Sequence, residues 1–147
     1  METLYVVSAF LRDGDKALLL QRGPNRQVLP GFWEMPGGKW HTDRGLEETL
    51  TDCVQRETGL VIKPTRPIGV FSYTNDKTNL QYREICFHAQ VDGSREVSLS
   101  PEHGAYRWVG HNELSGLTMY EDVAQMVIKG FDSTRRGEKR VSFPKIW

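Results

Sequence analysis

The chain has 147 residues, the size of one ordinary domain. Its 19 lysines and arginines balance its 19 aspartates and glutamates, which disfavours both a generally basic nucleic-acid binder and an acidic disordered tail. No apolar run reaches the roughly 18 residues of a membrane span, and the N-terminus lacks a signal-peptide pattern. We therefore expect a cytoplasmic location, no membrane partner, and free thiols at Cys53 and Cys86.

The first part of the chain predicts a hairpin, a loop, a short strand and a helix. The hairpin pairs residues 4–11 with 17–21 around an Asp-Gly-Asp turn, and the loop covers residues 23–31. A short strand over residues 32–35 ends at Pro36-Gly37-Gly38. Apolar residues at helical spacing predict a helix over residues 46–58, with acidic residues in its first turn and Gly59 as its stop.

The second part predicts more strands and one further helix. Strands are expected over residues 68–73, 81–91 and 105–109, a helical turn over 112–114, and an amphipathic helix over 120–129. We assign residues 1–130 to a single domain and residues 131–147 to a basic C-terminal tail. The mixed order of elements indicates an α+β fold, not a series of βαβ units.

The glycine pair before the first helix does not form a P-loop. Trp33 stands where that motif needs its first glycine, and Trp40 follows Lys39 where the motif needs Ser or Thr. Instead, the stretch 31–39 and a helix closing as Arg-Glu-Thr-Gly-Leu over 56–60 resemble the Nudix (MutT-like) hydrolase family. The family's motif, the Nudix box, runs from an opening glycine, here Gly38, to a closing Gly-aliphatic pair, here Gly59-Leu60. The resemblance implies an α/β/α sandwich with a mixed, curved sheet between two helices.

The resemblance also implies a chemistry, from which this chain departs. In the family, glutamates on one face of the helix hold Mg²⁺ against a diphosphate, and the metal helps to generate the attacking hydroxide. Here Arg44 takes the place of the opening glutamate, Asp52-Cys53 that of an Arg-Glu pair, and Arg56-Glu57 that of a Glu-Glu pair. The late-strand glutamate falls at or next to Ala105. Only Glu57 remains, so the box is degenerate.

The box has a second possible register and a reversal of charge. A second register starting at Glu48 also places Arg-Glu at the required spacing, but it lacks the glycine at Thr42 and the later acids. In the preferred register, Arg44 and Asp52 carry the reverse of the family's charges. If these side chains meet, they form an ion pair of reversed polarity.

The candidate site residues follow from the resemblance. The candidate catalytic residues are Glu57 and Glu102. The candidate metal ligands, for Mg²⁺ or Mn²⁺ if the protein is active, are Glu57 and the Gly38 carbonyl. The candidate substrate-binding residues are Arg22, Gly37, Gly38, Lys39, Arg44 and Arg56. Four of these residues have an ordinary alternative. Glu57 is otherwise an exposed helix glutamate, Glu102 lies in a surface loop, Arg22 is a solvated strand end, and Arg56 pairs with Asp52. Cys53, also in the box, is either a reactive thiol or a small buried side chain, and the second is favoured.

The sequence is compatible with three functions. The first is binding of a nucleoside di- or triphosphate-type ligand, with metal-dependent hydrolysis weak or lost. The second is a working hydrolase that uses Glu57, Glu102 and Glu48. The third is a non-catalytic RNA- or protein-interaction module that uses the basic tail. A homodimer is a further possibility, and the base of the ligand is left open.

Overall fold

A computed structural model describes residues 2–41 and 43–135, which form seven strands, a 3₁₀ turn and two α-helices. The elements in chain order are β1 (Glu2–Asp13), β2 (Lys16–Arg22), β3 (Trp33–Glu34), β4 (Gly37–Trp40), α1 (Leu46–Thr58), β5 (Ile62–Asn75), β6 (Leu80–Val91), β7 (His103–Gly110), the 3₁₀ turn (His111–Gly116) and α2 (Glu121–Arg135). No described helix is long and apolar enough to cross a membrane.

The strands form one mixed sheet in the order β3-β2-β1-β6-β5, with β4 against β1 and β7 against β2. β1 and β6 are parallel, and the other pairs are antiparallel. β1 and β2 pair only beside their turn and then diverge. The segment 33–40 lies in the gap, with β3 on β2 and β4 on β1. This divergence places the Gly37-Gly38 pair beside the centre of the sheet.

The two faces of the sheet each carry one helix and one hydrophobic cluster. Alternate residues of β1 point to opposite faces, so Val7, Ala9 and Leu11 pack in one cluster and Phe10 in the other. The first cluster includes Leu50 and Val54 of α1, and the second includes residues of α2. The predicted α/β/α sandwich with a mixed sheet between two helices is confirmed.

Helix α1 has the predicted bounds at both ends. Gly59 adopts the left-handed conformation with φ 75°, and its N–H donates to the Gln55 carbonyl, so the glycine ends the helix as expected. The predicted hairpin and the strand over 81–91 are also present, and the ends of their strands differ from the prediction by at most two residues.

Two strands differ from the prediction. β5 begins at Ile62 instead of residue 68 and contains Pro64 and Pro67. It lies at the edge of the sheet and its pairing shifts register beside both prolines, which is how a strand accommodates residues without an N–H. The segment Gly37–Trp40 was not predicted as a strand because glycine is a poor strand former, yet it pairs with β1.

The final helix also differs from the prediction. It does not end at Lys129 but continues through Arg135, past the domain boundary predicted after residue 130. Gly130 lies inside the helix, and a Cβ at this position would come within 2.6 Å of the Phe10 ring. Phe131 is buried, with its ring centroid 4.9 Å from that of Phe10. The rest of the predicted tail, residues 136–147, lies outside the described residues.

Phe131→Ala tests the extension of α2. Removing this buried ring leaves a cavity beside Phe10 and should lower the free energy of unfolding by about 3–5 kcal/mol, as measured by urea denaturation. Gln125→Ala, on the exposed side of the same helix, is the matched control and should stay within about 0.5 kcal/mol of the parent chain. Equal effects of the two substitutions would contradict the observed packing.

Candidate functional site

A single cleft of about 1040 Å³ contains every candidate site residue. The residues predicted from the sequence that line it are Arg22, Gly37, Gly38, Lys39, Arg44, Arg56, Glu57 and Glu102. Glu48 does not line the cleft; it is exposed and lies 3.2 Å from Arg44. The register that begins at Gly38 is therefore the one that places the box residues around a common cavity.

The glycine pair allows three backbone segments to approach closely. A Cβ at Gly37 would collide with the Val7 carbonyl oxygen and lie 2.8 Å from the Ser8 Cα. A Cβ at Gly38 would lie 2.8 Å from the Cys53 Sγ and 3.5 Å from the Arg56 Nη2. The two glycines therefore allow β4 to pair with β1 on one side and α1 to pack against β4 on the other.

Glu57 is buried at the point where α1 meets β4. Only 5% of it is exposed, and its Oε1 accepts a hydrogen bond of 2.8 Å from the Gly37 N–H. Burial raises its pKa to about 7, although the Gly37 hydrogen bond and nearby His103 oppose the rise. The alternative of an ordinary exposed helix glutamate is wrong.

A chain of polar contacts that sequence reasoning missed continues from Glu57 across the cleft. His103 lies with its Nδ1 3.8 Å from the Glu57 carboxylate and its Nε2 2.8 Å from Glu34. Glu34 also accepts two hydrogen bonds from the Arg22 guanidinium, at 3.2 and 3.3 Å. Arg22 donates further to the Val28 carbonyl, so it is neither a solvated strand end nor a free cation.

The reversed ion pair is present. The Arg44 Nη2 lies 2.8 Å from the Asp52 carboxylate, and both side chains are about half exposed. This confirms that the two residues meet with their charges exchanged relative to the family's pattern. Since Glu48 also contacts Arg44, the guanidinium has two carboxylate partners and less capacity to bind a further anion.

Arg56 does not form the predicted ion pair with Asp52. Within the described part of the chain it has no ion pair with any carboxylate. Its Nη2 lies 3.7 Å from the Cys53 Sγ. Cys53 is the expected small buried side chain, and burial raises the pKa of its thiol although Arg56 opposes the rise. Arg56 thus lines the cleft as a cation free to bind an anion.

Glu102 lies at the rim of the cleft. Its carboxylate is 3.8 Å from the Arg26 guanidinium, and about half of its side chain is exposed. It precedes β7 in a turn, which agrees with the surface-loop alternative. It remains within the cleft's lining but is separate from the buried contacts of Glu57 and His103.

The donors present do not fit a magnesium or manganese ion at the box helix. Within residues 2–41 and 43–135, no group of three or more His, Cys, Asp or Glu side chains is arranged to hold a metal. The positions that supply carboxylates in the family's box supply a thiol at Cys53 and a guanidinium at Arg56, and hard cations bind neither. Glu57, the remaining carboxylate, already accepts the Gly37 N–H.

The chain resembles known proteins in sequence and in structure. The family model described as NUDIX domain matches residues 3–129. "Uncharacterized Nudix hydrolase YvcI" of Bacillus subtilis is 30% identical over 117 residues, covering 78% of this chain and 70% of that protein. "Nucleoside triphosphatase NudI" of Salmonella agona is 26% identical, covering 75% and 84%. The crystal structure of a MutT protein from Methanosarcina mazei superposes with a TM-score of 0.77 at 28% identity, over 95% of this chain and 97% of that one.

The burial of Glu57 predicts how stability changes with pH. Its pKa is raised from 4.5 to about 7 in the folded state, so the folded chain binds this proton more tightly than the unfolded chain. Ionising Glu57 therefore costs folding free energy as the pH rises from about 5 to about 8. Glu57→Gln keeps the acceptor for the Gly37 N–H and removes this cost.

Urea unfolding of the parent chain and of Glu57→Gln across that pH range measures the effect. We expect the variant to gain stability relative to the parent as the pH rises. His88, whose pKa burial lowers to about 4, is present in both proteins, so its titration cancels in the difference. A stability difference that does not change with pH would contradict the predicted ionisation.

Proposed function

The chain belongs to the Nudix hydrolase family, and on that premise we propose that its cleft binds a nucleotide-type ligand bearing a di- or triphosphate, with metal-dependent hydrolysis weak or lost. The relative named as a nucleoside triphosphatase supports this class of ligand. The cleft, at about 1040 Å³, is large enough for a whole nucleotide.

The position of Arg56 carries the proposal. Where the family's box has a carboxylate that holds a metal ion, this chain presents a guanidinium to the cleft, beside Gly38. A guanidinium is always charged and donates two parallel hydrogen bonds, which matches the geometry of phosphate oxygens. Arg56 would therefore neutralise a phosphate directly, in the place of a metal ion.

The other cations of the cleft contribute unequally to this proposal. Arg22 is held by Glu34, and Arg44 is held by Asp52 and Glu48. Lys39 is exposed on β4 beside the glycine pair, and it forms no ion pair with any described residue. We therefore assign phosphate binding to Arg56 with Lys39, and a structural role to Arg22 and Arg44.

The glycine pair has a supporting role in the same proposal. The Gly37 N–H donates to Glu57 and is not available to a phosphate. Gly38 provides the space that Arg56 and Cys53 occupy against β4. Both glycines would therefore shape the phosphate site instead of contacting the ligand.

The proposed loss of hydrolysis follows from the same substitutions. Three glutamates that act together in the family's box are replaced here, at positions 44, 53 and 56, and such losses remove orders of magnitude in rate. Glu57 is engaged with Gly37, and Glu102 lies at the rim with Arg26. An interaction module based on the basic tail depends on residues outside the described part of the chain. A homodimer and a cytoplasmic location stay predictions.

Arg56→Gln tests the phosphate site. We expect the affinity for nucleoside triphosphates, measured by calorimetry in the presence of EDTA, to fall about tenfold or more, because a charge-assisted hydrogen bond is lost. Arg107→Gln removes a similar cation from β7 outside the cleft and should leave the affinity unchanged. Equal affinities of the parent chain and Arg56→Gln would remove Arg56 from the site.

Cys53→Glu/Arg56→Glu tests the proposed loss of hydrolysis. We expect the parent chain to release little or no phosphate or pyrophosphate from nucleoside triphosphates, sugar nucleotides, dinucleotides or ADP-ribose with Mg²⁺ or Mn²⁺. The double variant restores two box carboxylates and should hydrolyse at least one of these compounds. Adding Glu57→Gln to the double variant is the control and should abolish that gain. Turnover by the parent chain that Glu57→Gln alone abolishes would refute the proposed loss.

A further inference from the structure

A second buried carboxyl group, that of Glu84, lines the cleft away from the box helix. Glu84 lies on β6 and is 8% exposed. It lies two residues before Cys86, which packs in the cluster beneath α2, so the two side chains share that face of the sheet. Glu34, Glu102 and Asp52 form ion pairs, and Glu57 accepts a backbone N–H. Glu84 has neither kind of partner among the described residues.

The groups beside Glu84 are hydroxyls and not cations. The Ser8 and Tyr73 hydroxyls face the carboxyl and oppose the rise of its pKa, but the Ser8 Oγ makes no hydrogen bond of ordinary geometry. Ser8 is 2% exposed and also lines the cleft. A buried hydroxyl without a partner is uncommon and costs free energy unless something else occupies the position. Burial raises the pKa of Glu84 to about 7, and nearby Glu34 adds to the rise.

Aromatic rings flank the carboxyl. Tyr73 and Tyr82 stack with their centroids 5.2 Å apart and their planes at 12°. Tyr120 lies against Tyr73, at a centroid distance of 5.7 Å. These three rings and that of Trp33 line the same cleft. Flat aromatic surfaces around one buried carboxyl suit a flat heterocycle whose edge carries hydrogen-bond donors.

We propose that Glu84 is the base-reading residue of the cleft and that it accepts hydrogen bonds from the two adjacent N–H donors of a guanine-type base. This inference rests on the proposed function, because it assumes that the ligand is a nucleotide. A carboxylate has two acceptor oxygens side by side, and the ring N1–H and the 2-amino group of guanine form the matching pair of donors. Opposite the ionised carboxylate, which predominates above a pH of about 7, the corresponding edges of adenine and cytosine offer one donor beside an acceptor, so they would leave one carboxylate oxygen unpaired.

The test compares GTP with ITP, which lacks only the 2-amino group. We expect GTP to bind the parent chain at pH 8 about tenfold more tightly than ITP, since ITP leaves one oxygen of the buried carboxylate without a donor. Glu84→Gln replaces one acceptor oxygen by a donor. It should lower the affinity for GTP about tenfold and bring the GTP-to-ITP ratio towards one. Glu96→Gln, the same change in an exposed loop outside the cleft, should change neither value.

Inorganic tripolyphosphate separates this inference from the proposed function. If tripolyphosphate and all nucleoside triphosphates bind the parent chain with equal affinity, the base-reading role of Glu84 is overturned and phosphate binding stands. The same holds if the GTP-to-ITP ratio is unchanged in Glu84→Gln. If neither tripolyphosphate nor any nucleotide binds, both proposals are overturned. The comparison of ligands on the parent chain decides the question even if Glu84→Gln does not fold.

Discussion

The hydrogen bond between the Gly37 N–H and the buried Glu57 carboxylate fixes the helix of the box against the sheet. It joins α1 to β4, and β4 pairs in turn with β1 at the centre of the sheet. Both contacts require glycine, because a Cβ at Gly37 would strike Val7 and one at Gly38 would strike Cys53. The cleft opens where this junction keeps β1 and β2 apart. The position of the candidate site therefore depends on the Glu57 carboxylate and on the two glycines.

The acidic side chains of the cleft differ in what satisfies them. Glu34 is held by Arg22 and His103, Glu57 by a backbone N–H, and Glu102 by Arg26 at the rim. Each of these carboxylates is therefore already held by a group of the protein. Among the described residues, Glu84 faces only the Ser8 and Tyr73 hydroxyls and has no cation or backbone N–H as a partner, and Arg56 has no carboxylate partner. Both proposals therefore rest on groups that the fold leaves without a charged partner.

Local signals in the sequence were sufficient for much of the fold. The helix over residues 46–58 and its stop at Gly59 follow from apolar spacing and one left-handed glycine, and the box spacing located the cleft. Contacts between distant segments could not be predicted in this way. Glu34 and His103 are 69 positions apart and share no motif, and their contact exists only because β2 pairs with both β3 and β7. The start of β5 was missed because prolines argue against a strand unless it is known to lie at an edge.

The substitutions in the box form a consistent set once the electrostatics of Glu57 are considered. Its pKa is already raised to about 7 by burial, with Glu34 and Glu102 adding to the rise. Further carboxylates at positions 53 and 56 would lie beside it on the same helix and, without a metal ion between them, would repel it. A thiol that packs against Gly38 and a guanidinium that faces the cleft avoid this repulsion. The helix that carries metal ligands in the family can therefore remain folded here without a metal, and Arg56 supplies the positive charge that a bound phosphate would need.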